Sequence, residues 1–378
     1  MRISPLIKKV LFTLLASLLV FVLLDNDAFL YQKQPIGQIS SVRQLSKDSV
    51  TDSKGNRDTV LTQELTIRLL NQSGKNFKLL NKTAVSQVTG QVYRTGQKVI
   101  LNQVNGDYSI LSLKRDALLG ALITLFIGLL ATFVRWRSSI FLILSLLLNL
   151  LYFGIALVFD LQFSGPVLLI FGILSFVFVI SSLLFVLGRT RQMLFTFLTT
   201  MLTMLITFSL AISVLALTGN DGIHFEYLDF ITQDPVDLFY MSCIISVLGA
   251  IMDGTGDIVV GLFGLYRQNQ ENQLEMTFKD YFRSGMSIGR EIIGTLTNVL
   301  FMVFMAELLQ NTILLLRNGL DWNYVAGVDL NMGLLQTIIS GIGIVLSVPV
   351  TAFVTSLGVH AGSKAERSRE RYSNGGAK

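Results

Sequence analysis

The stretch LFYMSCIISVLGAIMDGTGDIVVGLFGL, from Leu238 to Leu265, decides the fold, because only Asp253 and Asp257 in it are charged. About 20 such residues cross a hydrocarbon core of about 30 Å as one helix, so this is read as a membrane span. A carboxylate near the centre of a span costs about 2.5 to 3.5 kcal/mol even on lenient insertion scales. Both acids are therefore expected to turn toward neighbouring helices, water or a cargo instead of lipid tails.

The whole chain has the same character: 378 residues, 51% hydrophobic and 15% charged, are too apolar for a water-soluble fold of this length. The net charge of +5 does not point to nucleic acid, since the basic residues sit at the edges of apolar runs instead of forming a polar face. A single cysteine, Cys243, excludes an internal disulfide and a cysteine-based zinc site. Lys8 and Lys9 precede an apolar run over 10–24. It reads as a signal anchor in preference to a cleaved signal peptide, because no small-x-small site follows Leu24.

Further spans are expected over 117–134, 140–159, 167–187, 193–217, 238–265, 292–316 and 333–357. Arg135 and Arg137, then Arg189 and Arg191, then Arg267, Lys279, Arg283 and Arg290 mark one set of loops as cytoplasmic. The alternate loops carry Asp160, then Asp221, Glu226, Asp229, Asp234 and Asp237, then Asp321 and Asp329. Both termini are then cytoplasmic. Residues 26–116 differ in kind, with short alternating apolar stretches such as Leu65, Ile67 and Leu69, or Val99 and Leu101, separated by turns such as Asn105-Gly106-Asp107. The fold class expected is an all-α membrane bundle of about eight transmembrane helices, with an extracytoplasmic β-rich domain, a small barrel or sandwich, between the first and second. The division is 1–25 anchor, 26–116 β-rich domain, 117–358 seven-helix domain and 359–378 basic tail.

On the sixth span Ser242, Ser246, Gly249, Ala250, Asp253, Asp257, Gly261 and Gly264 recur at three- and four-residue steps and share one face. Asp253 and Asp257 are about 6 Å apart at Cβ, so a shared proton or a cation is expected to relieve their repulsion. Gly249, Gly254, Gly256 and Gly261, with Gly294 on the seventh span, mark close backbone approach or a helix break, with Asp253-Gly254-Thr255-Gly256-Asp257 as the place for the break. In the seventh span Ser287, Glu291, Gly294, Thr295 and Asn298 share a face, and Arg290 is placed to pair with Asp257. The two faces are expected to meet across a polar cleft. Threonines 196, 199, 200, 203 and 207 form a stripe on the fifth span, read as packing ahead of substrate contact. Ser340 to Pro349 suggests a kink, and Leu274, Phe278, Tyr281 and Phe282 suggest a short interfacial helix. His224 and His360 read as structural or surface residues, and no metal site or cofactor is expected.

Leu248-Gly249-Ala250-Ile251-Met252-Asp253, followed by Ser284-Gly285-Met286-Ser287-Ile288-Gly289-Arg290-Glu291-Ile292-Ile293-Gly294-Thr295-Leu296-Thr297-Asn298, resembles the signature of the YibE/F family of bacterial membrane proteins. The resemblance covers most of the chain. It implies a polytopic protein of the bacterial cytoplasmic membrane and a transport role, with no substrate attached. Asp257 departs from the family pattern, which has smaller residues there.

The function expected is a membrane transporter or export component, proton-coupled through the acidic pair, moving a small molecule, ion or peptide. Its partners are the bilayer and a partner membrane subunit, with no nucleic acid. A non-transporting scaffold is the alternative. A third reading, an intramembrane aspartyl protease, rests on the GxGD pattern of Gly254-Thr255-Gly256-Asp257. It lacks a second aspartate on another span and has Val348-Pro349-Val350 where Pro-Ala-Leu belongs, so no enzyme is expected. No Gly-x-x-x-x-Gly-Lys-Ser/Thr loop is present, so any ATP-driven step falls to another subunit.

Overall fold

The computed structural model describes residues 4–28, 31, 34–71, 75–87, 90–104, 106–134, 136–163, 167–217, 219, 235–272 and 274–375. The chain divides into two compact units, Met1–Ile140 and Phe141–Lys378.

In the first unit, α1 (Pro5–Asp25) starts where Ser4 accepts a hydrogen bond from the Ile7 amide and Pro5 needs none. It pairs with α2 (Asp116–Phe133) through small residues. A Cβ added to Gly128 would lie 2.3 Å from Thr13 Cγ2, and Ser17 Oγ donates to the Ala121 carbonyl at 2.8 Å.

Between these helices lie β1 (Ile36–Thr51), β2 (Arg57–Leu69), β3 (Asn76–Ala84), β4 (Lys98–Val104) and β5 (Asp107–Leu113). They form one antiparallel sheet in the order β3-β2-β1-β4-β5. Alternation turns Ile39, Leu65, Ile67, Val99 and Leu101 into one core, each at most 1% exposed. Bulges in β1 between Ile39 and Ser41 and between Gln44 and Ser46 let the long strand bend. The sheet coils until its edges touch, Phe77 of β3 stacking on Tyr108 of β5 with ring centroids 4.7 Å apart. The expected β-rich domain is thus present. Among the described residues it is one coiled antiparallel sheet, not two stacked ones, and side chains, not a β3–β5 ladder, bring its edges together. At the β1–β2 turn Asp52 Oδ1 accepts from the Lys54 and Asn56 amides, and Gly55 takes φ +83°. The Asn56 side chain, then backbone amides, hold the Asp52 carboxyl below its usual range.

The remaining helices are α3 (Trp136–Phe163), α4 (Val167–Leu187), α5 (Arg191–Leu217), α6 (Pro235–Glu271), α7 (Phe278–Arg317), the single turn α8 (Trp322–Tyr324) and α9 (Leu330–Gly375), with a π-helical turn Val325–Asp329 before α9. Among the described residues eight helices are long and apolar enough to cross a membrane: all but α8.

Two local expectations are corrected. No break interrupts α6 at Gly254 to Asp257, because tertiary contacts there supply what glycine propensity lacks. No separate interfacial helix forms around Phe278. Thr277 and Asp280 make a capping box that starts α7 there, and Tyr281 is 3% exposed, packed with Ile258, Leu262 and Val348. At Pro349, where a kink is expected, α9 continues as one helix. His224 and the acids 221, 226, 229 and 234 lie outside the described residues.

Candidate functional site

The register of α6 against α7 is fixed by two glycines. A Cβ on Gly261 would lie 2.8 Å from Ile288 Cδ1, and one on Gly254 would lie 3.5 Å from Leu296 Cδ1. The helices run antiparallel, so Asp257 is level with Ile292 and Ile293, and Asp253 with Leu296 and Thr297. Gly254 also approaches Ser347 Oγ of α9, and Ile251 lies against Gly343 of α9. Thus α9 covers one side of the α6–α7 contact.

The acids occupy the other side. Asp253 and Asp257 are both exposed, as are Gly249 and Gly264 in line with them; Gly256 and Gly261 are half-buried, and Gly254 and Thr255 are buried. On α7, Ser287, Glu291, Gly294, Thr295 and Asn298 are likewise exposed. At 100° per residue they fall on the flank of α7 next to its contact with α6. The shared face expected from the spacing is therefore formed on each helix, and the two faces adjoin. They open outward along the bundle instead of enclosing a cleft.

Arg290 is exposed too, but about 200° around the helix from Ile288, so it points away from α6. Among the described residues no ion pair joins it to Asp257, and that expected pairing is corrected. Thr295 Oγ1 turns back to the Ile292 carbonyl at 3.0 Å.

Three cavities elsewhere are lined almost wholly by apolar side chains. One of about 710 Å³ runs along α3 from Leu147 to Gln162. Another, of about 360 Å³, lies between α7 and α9 beside Thr297 and Phe301. The third, of about 340 Å³, is bounded by Leu202, Phe282 and Phe353. None of these three is lined by Asp253, Asp257 or Asn298. Among the described residues no group of three or more His, Cys, Asp or Glu is placed to hold a metal.

Two polar constellations matter that spacing alone does not reveal. The first is a hydroxyl seam between α5, α6 and α9. Thr196, Thr199, Thr200, Thr203 and Thr207 are all 0–1% exposed, as are Thr255, Ser340, Ser347, Thr351 and Thr355. Thr200 and Thr255 share a hydrogen bond of 2.7 Å, and Ser246 and Ser340 one of 3.0 Å. The threonine stripe packs, as expected, though against other hydroxyls.

The second lies in the first unit, where the sheet meets α1 and α2. Lys114, its side chain 1% exposed, forms ion pairs with Asp27 at 2.7 Å and Asp116 at 2.9 Å. It also donates to the Leu24 carbonyl and lies 5.6 Å from the centre of the Tyr31 ring. Tyr31 in turn donates to Asp116 Oδ2 at 2.8 Å, and Lys98 pairs with Asp25. Burial alone would lower the Lys114 ammonium; hydrogen bonds and charge from Asp116 and Asp27 outweigh it and raise it above its ordinary value.

Against known families, residues 29–113 match the YibE/F family N-terminal domain, and residues 122–361 match the YibE/F-like protein family, together most of the chain. The first match covers the coiled sheet and the second begins within α2. No curated protein and no solved structure matches the chain.

Proposed function

The chain belongs to the YibE/F family, and from that premise we propose that it is the membrane subunit of a transport or export system, with the α6–α7 flank as its working surface. The observation that carries this reading is the outward placement of Asp253 and Asp257 near the middle of a 37-residue apolar helix. Hydrocarbon cannot cover two carboxylates cheaply, so water, a cargo or another chain meets them there. The adjoining hydroxyl and amide groups of Ser287, Thr295 and Asn298 extend the same polar surface.

Because the flank is open, the path runs along the flank itself, and protons shared by the acidic pair couple the movement. The basic residues Arg189, Arg191, Arg267, Lys279 and Arg283, in the turns and helix ends between α4 and α5 and between α6 and α7, support cytoplasmic termini in the cytoplasmic membrane, with the coiled sheet on the far side. A non-transporting scaffold is the second reading, favoured by the apolar lining of the three cavities described.

Proteoliposomes holding the full chain and a pH-sensitive dye separate the two. Under an imposed proton gradient the wild type is expected to leak protons, and the Asp253→Asn, Asp257→Asn double variant to leak at least about 10-fold less, since at least one charge-transfer site is lost. Equal flux in wild type and variant sinks the coupling role, and no flux above empty vesicles in either supports the scaffold.

A further inference from the structure

The α5–α9 contact carries a second inference, independent of the transport reading. Buried threonines in helices ordinarily satisfy their hydroxyls on the carbonyl one turn back. In this protein buried Thr199 and Thr337 do so, as do half-buried Thr124 and Thr132, at 2.7 to 2.8 Å. Thr196, Thr203 and Thr207 of α5 and Thr351 and Thr355 of α9 do not. Each is 0–1% exposed, and none of their hydroxyls has a protein partner.

These five are not scattered. A Cβ on Gly358 would lie 2.0 Å from the Phe195 ring, which sets the antiparallel register of α5 against α9. Counting from that pair, Thr196 comes within about two residues of the level of Thr355, Thr203 within one of Thr351, and Thr207 within one of Ser347, whose own hydroxyl donates to the Ile344 carbonyl at 2.7 Å and so offers its rung an acceptor. The hydroxyls form three rungs spread over about 16 Å along α5, at 1.5 Å per residue. Hydroxyl pairs at similar depth that do not bond directly call for a third group which both accepts and donates. No charged side chain belongs to the rungs, so nothing there neutralises an ion. Water meets the description: small, neutral, and normally held by two to four hydrogen bonds to polar groups that otherwise lack partners.

We infer that the α5–α9 seam binds a file of buried water molecules, shared across the rungs Thr196–Thr355, Thr203–Thr351 and Thr207–Ser347. The Thr200–Thr255 bond borders it on the α6 side.

Threonine and valine have the same shape, so Thr→Val removes the hydroxyl and nothing else. In a dry seam, deleting an unpartnered buried hydroxyl stabilises. In a hydrated seam it robs a bound water of a partner and destabilises. In the full-length protein in detergent, Thr203→Val and Thr351→Val are each expected to lower Tm by about 2–4 °C. The double variant should fall by clearly less than the two drops combined, because one water leaves with the first change. A rise in Tm for either single variant, or a full additive fall for the double, overturns the inference.

Should the valine variants not fold, Thr203→Cys in a Cys243→Ser background decides. Aqueous Ag⁺ is expected to block that thiol in the folded protein, as shown by lost alkylation after denaturation; a thiol left unblocked counts against the water file.

Discussion

Lys114→Met is expected to destabilise the first unit by about 3–5 kcal/mol, the largest loss for any single polar substitution here. Methionine preserves most of the stem, so the effect reports the ammonium. In the native state that ammonium sits between Asp27 and Asp116 with its side chain 1% exposed, and the Asp27 side chain is itself only 9% exposed. Removing it leaves two carboxylates facing each other in a poorly hydrated corner. Removing the charges together is far milder, so Asp27→Asn and Asp116→Asn added to Lys114→Met should recover most of the loss. Thermal unfolding of the full protein, with protease sensitivity of residues 26–116 as a second readout, measures both. Unchanged stability in the single variant would disprove the arrangement. The pH dependence has a definite sign. A lysine whose folded pKa lies above its unfolded value of 10.5 contributes stability fully below that pH and loses it as pH climbs through the higher folded value. The Lys114 contribution is therefore expected to fade only in strong alkali, whereas Asp116, raised by burial but brought below its ordinary value by hydrogen bonds from Lys114 and Tyr31, contributes stability that is lost as pH falls through that lowered value.

Gly289→Leu is the second large effect, expected to block correct packing of α7 on α9. A Cβ at that position would lie 2.3 Å from Val348 Cγ1 and 2.9 Å from Val348 Cβ. Val348 is 2% exposed and has no room to retreat. Overpacking of this kind costs about 1–3 kcal/mol for one extra methyl, so Gly289→Ala already tests the contact in milder form. Val348→Ala should rescue Gly289→Ala, because it deletes the atoms that collide. The melting temperature of the single and paired variants in detergent reads this out. A Gly289→Ala protein as stable as wild type would mean that α7 and α9 stand further apart than described. Small residues at such crossings let backbones close up where lipid offers no hydrophobic drive.

The spans were legible because hydropathy over about 20 residues depends on composition alone, and each of the eight expected runs lies within or overlaps a long apolar helix. What extends beyond the lipid was not. The first two turns of α7 hold Lys279, Asp280 and Arg283, so a hydropathy window starts the helix late; the capping pair Thr277 and Asp280 was the missed signal. Gly254 and Gly256 read as a break because propensity is local, whereas the side chains that pack beside them, Ser347 and Leu296 at Gly254 and Thr196 at Gly256, come from other helices. The periodicity of Asp253 and Asp257 placed them on one face. Whether that face turns inward depends on where α9 lies, and no spacing within α6 encodes it. The Lys114 ion pairs were invisible for the same reason, since Asp27 is brought to Lys114 only by the return of the chain through the whole sheet.

The coiled sheet leaves and rejoins the membrane helices at one corner, where Lys98 grips Asp25 and Lys114 grips Asp27 and Asp116. A body held at both its entrance and its exit behaves as a handle and not as a pendulum. Any displacement of the sheet is therefore passed to α1 and α2 with little slack to absorb it.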